Sequence, residues 1–227
     1  MNYEGVPARL AAVQARILER QRASGFAHPV KIIAVTKGHS VAAVRAAHDA
    51  GLTAVGENRV QEALDKQAAA GALQLEWHLI GSLQRNKVKH AVGRFALIHS
   101  VDRAELLSEL AHRVVGPRQA VLVEVNCSDE EQKGGVGLGE AIALVERVVA
   151  TPAVEFRGLM TMAALTDDRA VQRAAFGRLR RLKAELEGRG IAVPELSMGM
   201  SADYEVAVEE GATMVRLGTI LFGERGS

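Results

Sequence analysis

The stretch KIIAVTKGHSVAAVRAAHDAGLTAVGE, Lys31 to Glu57, decides the fold. Its first part, Lys31–Thr36, is a short apolar run of the kind that forms a strand buried on both faces. Ser40 stands where a helix N-cap belongs, Val41–Ala50 has helical composition, and Gly51 supplies a stop. A second β-branched run, Thr53–Glu57, follows at once. Strand, helix and strand in so little chain make a parallel βαβ unit.

The same alternation continues through the chain. Further strands are predicted at Leu75–Gly81, Phe95–Ser100, Ala120–Asn126, Val154–Met162, Val193–Met198 and Thr213–Gly218, which makes eight. A helix over Val6–Ser24 precedes the first strand, with Leu10, Val13 and Ile17 on one face and Arg9, Arg16 and Arg20 on another. Asp102 and Glu105 have capping-box spacing, although Asp replaces the usual Ser or Thr. Phe176, Leu179, Leu182 and Leu186 form a helical stripe, and Arg178, Arg180, Arg181 and Lys183 read as its solvated face. Eight units in 227 residues average about 28 each, near the size of a (β/α)8 barrel. The fold class predicted is therefore an α/β TIM barrel with an extra N-terminal helix, one domain over residues 1–227. A doubly wound open sheet is the alternative, and both topologies place ligands at the carboxyl ends of the strands.

Composition narrows the function. The residues are 48% hydrophobic and 24% charged, with net charge +1. This excludes intrinsic disorder and gives no overall field for nucleic acid. One Trp, two Tyr and five Phe are too few for a base-stacking platform. The single cysteine, Cys127, excludes an internal disulfide and a multi-cysteine metal site, and is expected to be buried. No apolar run reaches bilayer length and no signal peptide precedes the fold, so a cytoplasmic protein is expected. HExxH, Walker A and G-x-S-x-G patterns are missing, and the seven His do not cluster at metal-ligand spacing. Gly134–Gly139 lacks dinucleotide-loop spacing and reads as a flexible loop. The basic run Arg85–His90, with Lys87 and Lys89, reads as a solvated helix face.

The candidate chemistry sits just past the strands. Lys37 ends the apolar first strand, where partial desolvation would free its amine to attack a carbonyl. Gly218 and Thr219 end the eighth strand and let backbone approach an anion closely. Ser201 stands where a helix over Ala202–Glu210 should begin, so hydroxyl and first-turn amides could share a phosphate. Arg216 shares strand parity with Gly218 and so points inward. A buried guanidinium needs an acceptor, either a carboxylate such as Glu124 or a ligand atom.

At this point the chain resembles the pyridoxal phosphate homeostasis proteins, single-domain barrels related to the barrel domain of alanine racemase. The resemblance covers nearly the whole chain through AVTK (Ala34–Lys37), GENRVQE (Gly56–Glu62), WHLIGSLQRNK (Trp77–Lys87), HSVD (His99–Asp102), VNCSDEEQKGG (125–135), RGLMTM (Arg157–Met162), LSMGMSADYE (Leu196–Glu205) and VRLGTILFGER (215–225). It implies that Lys37 holds pyridoxal 5′-phosphate (PLP) as an internal aldimine. It further implies that Ser201, Gly218 and Thr219 bind the phosphate, that Arg216 lies near the pyridine nitrogen, and that Asn58 lines the ring pocket. Gly38-His39-Ser40 and Ser82 depart from the family pattern, at the pocket rim beside Lys37.

The function implied is PLP binding in intracellular vitamin B6 homeostasis and supply, without catalytic turnover, a catalytic residue or a metal. Apo-PLP enzymes are the implied recipients, and a barrel without sheet edges is expected to be a monomer. A guanidinium beside the ring nitrogen leaves it unprotonated, a poor electron sink that disfavours transamination. Related racemases take a second base from a second domain, for which eight units in this length leave no room. The alternatives are a PLP-dependent amino-acid racemase or lyase of low activity and a Schiff-base aldolase of sugar phosphates.

Overall fold

A computed structural model describes residues 3–128, 130 and 134–224. The predicted alternation appears in order: α1 (Val6–Ser24), β1 (Lys31–Val35), α2 (Val41–Asp49), β2 (Ala54–Glu57), α3 (Val60–Ala70), β3 (Glu76–Leu79), α4 (Val88–Ala91), β4 (Leu97–Val101), α5 (Ala104–Arg113) and β5 (Gln119–Asn126). The second half holds β6 (Val136–Gly137), α6 (Leu138–Val149), β7 (Val154–Met160), α7 (Arg169–Gly188), β8 (Glu195–Met200), α8 (Tyr204–Glu209), β9 (Met214–Leu217) and α9 (Thr219–Phe222). Every pairing is parallel, in the order β4-β3-β2-β1-β9-β8-β7-β5, and β4 also pairs with β5. That last pairing closes the sheet. The eight predicted strands form a (β/α)8 barrel, and the open-sheet alternative is excluded.

Strand alternation sorts the side chains into two cores. Ile33, Ala54, Leu97, Leu122, Met160 and Met214 fill the barrel interior. The opposite strand faces meet the apolar stripes of the helices, among them Phe176, Leu179, Leu182 and Leu186 of α7, while α1, with Leu10, Val13 and Ile17 buried, packs against α8 and α9. Two glycine bulges break the alternation. Gly158 takes φ +138, and Arg157 becomes an extra residue between Phe156 and Gly158 in the pairing with β5. Parity thereby switches, so that Met160 rather than Leu159 enters the interior. Gly199, at φ +93, does the same in β8, where Ser197 pairs with Met214 but Met200 with Arg216.

Several local expectations change. Arg103, not Asp102, is the residue before α5, and Asp102 accepts a hydrogen bond from Arg103 at 2.5 Å instead of capping the helix. Ser40 precedes α2 but its side chain makes no cap bond. The Gly134–Gly139 stretch is not a loop throughout, because Val136 and Gly137 extend the sheet beside Val125 and Asn126 and α6 starts at Leu138. Within the VNCSDEEQKGG resemblance, positions 129 and 131–133 lie outside the described residues, as does position 225. The basic run at Arg85–His90 is exposed at Arg85, Lys87, Lys89 and His90, as expected of a solvated face. The α7 cations are less solvated than predicted. Arg178 donates to the Cys127 carbonyl at 2.9 Å and Arg180 pairs with Glu210.

Candidate functional site

The C-terminal mouth of the barrel gathers most of the residues singled out in the sequence. Ile33 belongs to the interior core, so Val35 shares its inward parity at the end of β1, and Lys37 follows in a turn two residues beyond the strand. Lys37 is half-buried at the rim. A polar cluster clamps the peptide groups on either side of it. Lys66 Nζ donates to the Thr36 carbonyl (2.7 Å), to Glu57 Oε1 (2.7 Å) and to Glu62 Oε1 (2.8 Å). The Thr36 hydroxyl donates to Glu57 Oε1 at 2.5 Å, and the Gly38 amide donates to Glu62 Oε1 at 2.8 Å. Glu57 is fully buried, and burial raises its pKa against the opposing bonds from Lys66 and Thr36.

On the neighbouring strand, β9 brings Gly218 against β1. A Cβ on Gly218 would stand 3.3 Å from the Val35 carbonyl oxygen, two residues before Lys37. The Ser201 hydroxyl accepts hydrogen bonds from the amides of Gly218 and Ile220, both at 3.3 Å. A hydroxyl filled by two donors still has its own O–H to give, and an anion is the natural acceptor. The helix predicted to start beside Ser201 begins three residues later, at Tyr204, so its first-turn amides do not join the cup. The amides come instead from the loop and turn after β9. Thr219 is exposed as the first residue of α9. Asn58 is half-buried one residue beyond β2, with the backbone of Gly81 packed against it, and no hydrogen bond links it to the cup.

Arg216 lies inside the barrel, 4% exposed. Its Nη1 donates to the Ser197 carbonyl and to Ser197 Oγ, each at 2.8 Å, and its Nη2 donates to the Thr161 carbonyl at 2.9 Å. The acceptors are thus two carbonyls and a hydroxyl rather than a carboxylate; among the described residues Glu124 acts on Arg216 through its field. Burial lowers the guanidinium pKa to about 10, with Asp203 and Glu124 pulling upward, so it stays charged at neutral pH. Glu124, 2% exposed, is pushed up to about 7 by burial and by Asp102, against Arg216. Cys127 is buried as expected, and burial raises its thiol to about 11. Among the described residues no group of three or more His, Cys, Asp or Glu is placed to hold a metal, and no helix is long and apolar enough to cross a membrane.

Sequence reasoning missed Ser197 and Thr161 as the partners of Arg216 and the two imidazoles behind Ser197. Ser197, His99 and His78 line the interior beneath the guanidinium, and all three are buried. The available signal was strand parity. His78 shares the inward face of β3 with Glu76, and His99 that of β4 with Leu97.

A closed parallel barrel with a rim lysine, a serine hydroxyl bonded to two amides after the last strand and a buried arginine belongs to the alanine racemase-like class. The family model for the alanine racemase N-terminal domain matches residues 9–226. More narrowly, the chain belongs to the pyridoxal phosphate homeostasis protein family. It is 44% identical to the pyridoxal phosphate homeostasis protein of Aquifex aeolicus, over 92% of this chain and 96% of that one. It is 45% identical to that of Pseudomonas aeruginosa, over 95% and 94%. Among solved structures, PipY of Synechococcus elongatus with PLP bound superimposes with a TM-score of 0.84 at 37% identity, covering 96% of this chain and all of that one. Alanine racemase of Clostridium difficile, at 14% identity and a TM-score of 0.76, shares the fold over 94% of this chain and 60% of its own.

Proposed function

We propose that this chain binds PLP in the cytoplasm, holds its aldehyde as a reversible Schiff base on Lys37, and passes it to apo-PLP enzymes without turning over a substrate. The observation that carries the proposal is Arg216: buried, charged, held by neutral acceptors and lacking a carboxylate partner. Such a group is costly unless a ligand atom completes its hydrogen bonding. A pyridine nitrogen is an acceptor of the right kind. The Ser201 O–H with the Gly218 and Thr219 backbone receives the phosphate, and Asn58 flanks the ring. Lys37, clamped through Thr36 and Gly38 in the turn after β1, presents its amine on the adjoining side of the mouth.

When bound, PLP supplies an aldehyde that exchanges between amines with loss and gain of one water. Arg216 cannot give up its proton to the ring nitrogen at neutral pH, because its pKa remains near 10. The ring therefore stays unprotonated and withdraws electrons weakly, which suits storage better than carbanion chemistry. The structure of the relative PipY with PLP bound supports the PLP-binding part of this reading.

The holoprotein incubated with each L-amino acid in D2O is expected to show no exchange at Cα, while an added apo-enzyme gains PLP-dependent activity. Robust turnover of any amino acid that disappears in Lys37→Ala would overturn the carrier assignment in favour of a racemase or lyase.

A further inference from the structure

A chain of hydrogen bonds crosses the barrel interior from Arg216 to the opposite face. Ser197 Oγ, which receives Arg216 Nη1 at 2.8 Å, lies 3.0 Å from His99 Nδ1. His99 Nε2 lies 2.9 Å from His78 Nδ1, and His78 Nε2 lies 3.4 Å from Glu76 Oε2. Glu76 also receives Lys31 Nζ at 2.8 Å and borders a cavity of about 250 Å³ at the N-terminal end of the barrel. Barrel interiors are ordinarily filled by branched apolar side chains. Two buried imidazoles there need a reason.

The ends of the chain fix its direction. Burial raises the Glu76 carboxyl, but the bonds from Lys31 and His78 outweigh it and hold the group below its ordinary range, so it only accepts. His78 Nε2 must then carry the proton, which leaves His78 Nδ1 as an acceptor. His99 Nε2 fills that acceptor, so His99 Nδ1 is bare and receives the Ser197 O–H. Ser197 Oγ is then free to accept from Arg216. Every link donates toward Glu76, with both imidazoles neutral. Burial acts the same way, lowering His78 to about 4 and His99 well below the usual imidazole range.

We propose that Ser197, His99 and His78 are positioning residues for Arg216: a one-way wire, fixed by Glu76, that holds the guanidinium against the barrel wall with its remaining N–H groups turned to the mouth. Without it, Nη1 keeps only the Ser197 carbonyl and Nη2 the Thr161 carbonyl as acceptors, and the guanidinium is held less firmly. This inference rests on the proposed contact of Arg216 with the cofactor ring.

The test has two arms. In wild-type protein, 15N NMR of the imidazoles is expected to find both His78 and His99 neutral and protonated on Nε2; a proton on His99 Nδ1 would overturn the wire. This arm needs neither a variant nor the cofactor. In the second arm, PLP is titrated into wild type, His99→Leu and His99→Gln. The Gln side chain has an acceptor oxygen and a donor NH2 group, so it can preserve the polarity while Leu breaks two links. His99→Leu is expected to weaken PLP binding about tenfold and to shift the absorption band of the bound cofactor, with His99→Gln near wild type. Equal affinity and spectra in wild type and His99→Leu would refute the wire and leave PLP binding standing. Failure of wild type to bind PLP would instead refute the reading beneath it.

Discussion

Glu124 is the residue whose burial has the plainest measurable consequence. Its carboxyl stands near 7 in the folded protein, raised from an ordinary 4.5. A raised acid makes its full contribution to stability below the unfolded value, and that contribution is lost as pH rises through the folded one. The loss by pH 8 is on the order of 3 kcal/mol. In the cofactor-free protein, Glu124→Gln is therefore expected to raise the urea midpoint at pH 8 and to change it little at pH 4.5. An equal shift at both pH values would mean that the charge of Glu124 is not what costs stability. At this scale the sequence was partly legible. Lys37, Arg216, Gly218 and Ser201 stand out because they end apolar strands or alternate inward on them. The acceptor Ser197 and the His99 behind it do not, because parity turns each inward but their meeting across a separation of 98 residues is encoded in no local pattern.

At the scale of elements, the bulge in β8 places the cup. Ser197 pairs with Met214, and that register continued without a bulge would put Ser201 opposite Gly218; the extra residue at Gly199 pairs Met200 with Arg216 instead and sets Ser201 one residue short of Gly218, where its hydroxyl accepts from the amides of Gly218 and Ile220. A Cβ on Gly199 would lie 2.6 Å from the Ala207 Cβ and 3.0 Å from the Tyr204 Cα, at a φ that L side chains rarely adopt. Gly199→Ala is expected to destabilise the protein by about 2–4 kcal/mol in urea unfolding and to weaken PLP binding. Unchanged stability would show that the bulge is not constrained by α8. Bulges are where the sequence was least readable. Strict alternation from Arg157 puts Leu159 inside the barrel and Met160 outside, and the Gly158 bulge reverses both. The same limit applies to the start of α8. Ser201 has cap chemistry, but the sequence does not reveal that β8 runs on to Met200 and a turn follows before Tyr204.

On the scale of the whole molecule, eight parallel strands close on themselves, and closure brings the ends of β1, β8 and β9 to one rim. This much was readable, because each unit repeats the logic of Lys31–Glu57: an apolar run, a polar break, an amphipathic helix and a small-residue stop. Closure itself had to be inferred from the number of units, since the pairing of β4 with β5 leaves no signature in either strand. The account as a whole turns on Lys37 being the residue that holds the cofactor. Purified protein loaded with PLP, reduced with borohydride and digested for mass spectrometry tests this directly. The account predicts a yellow protein whose reduced pyridoxyl-phosphate mass sits on the peptide carrying Lys37 and is lost in Lys37→Ala. An adduct confined to other lysines, or none at all, would contradict it.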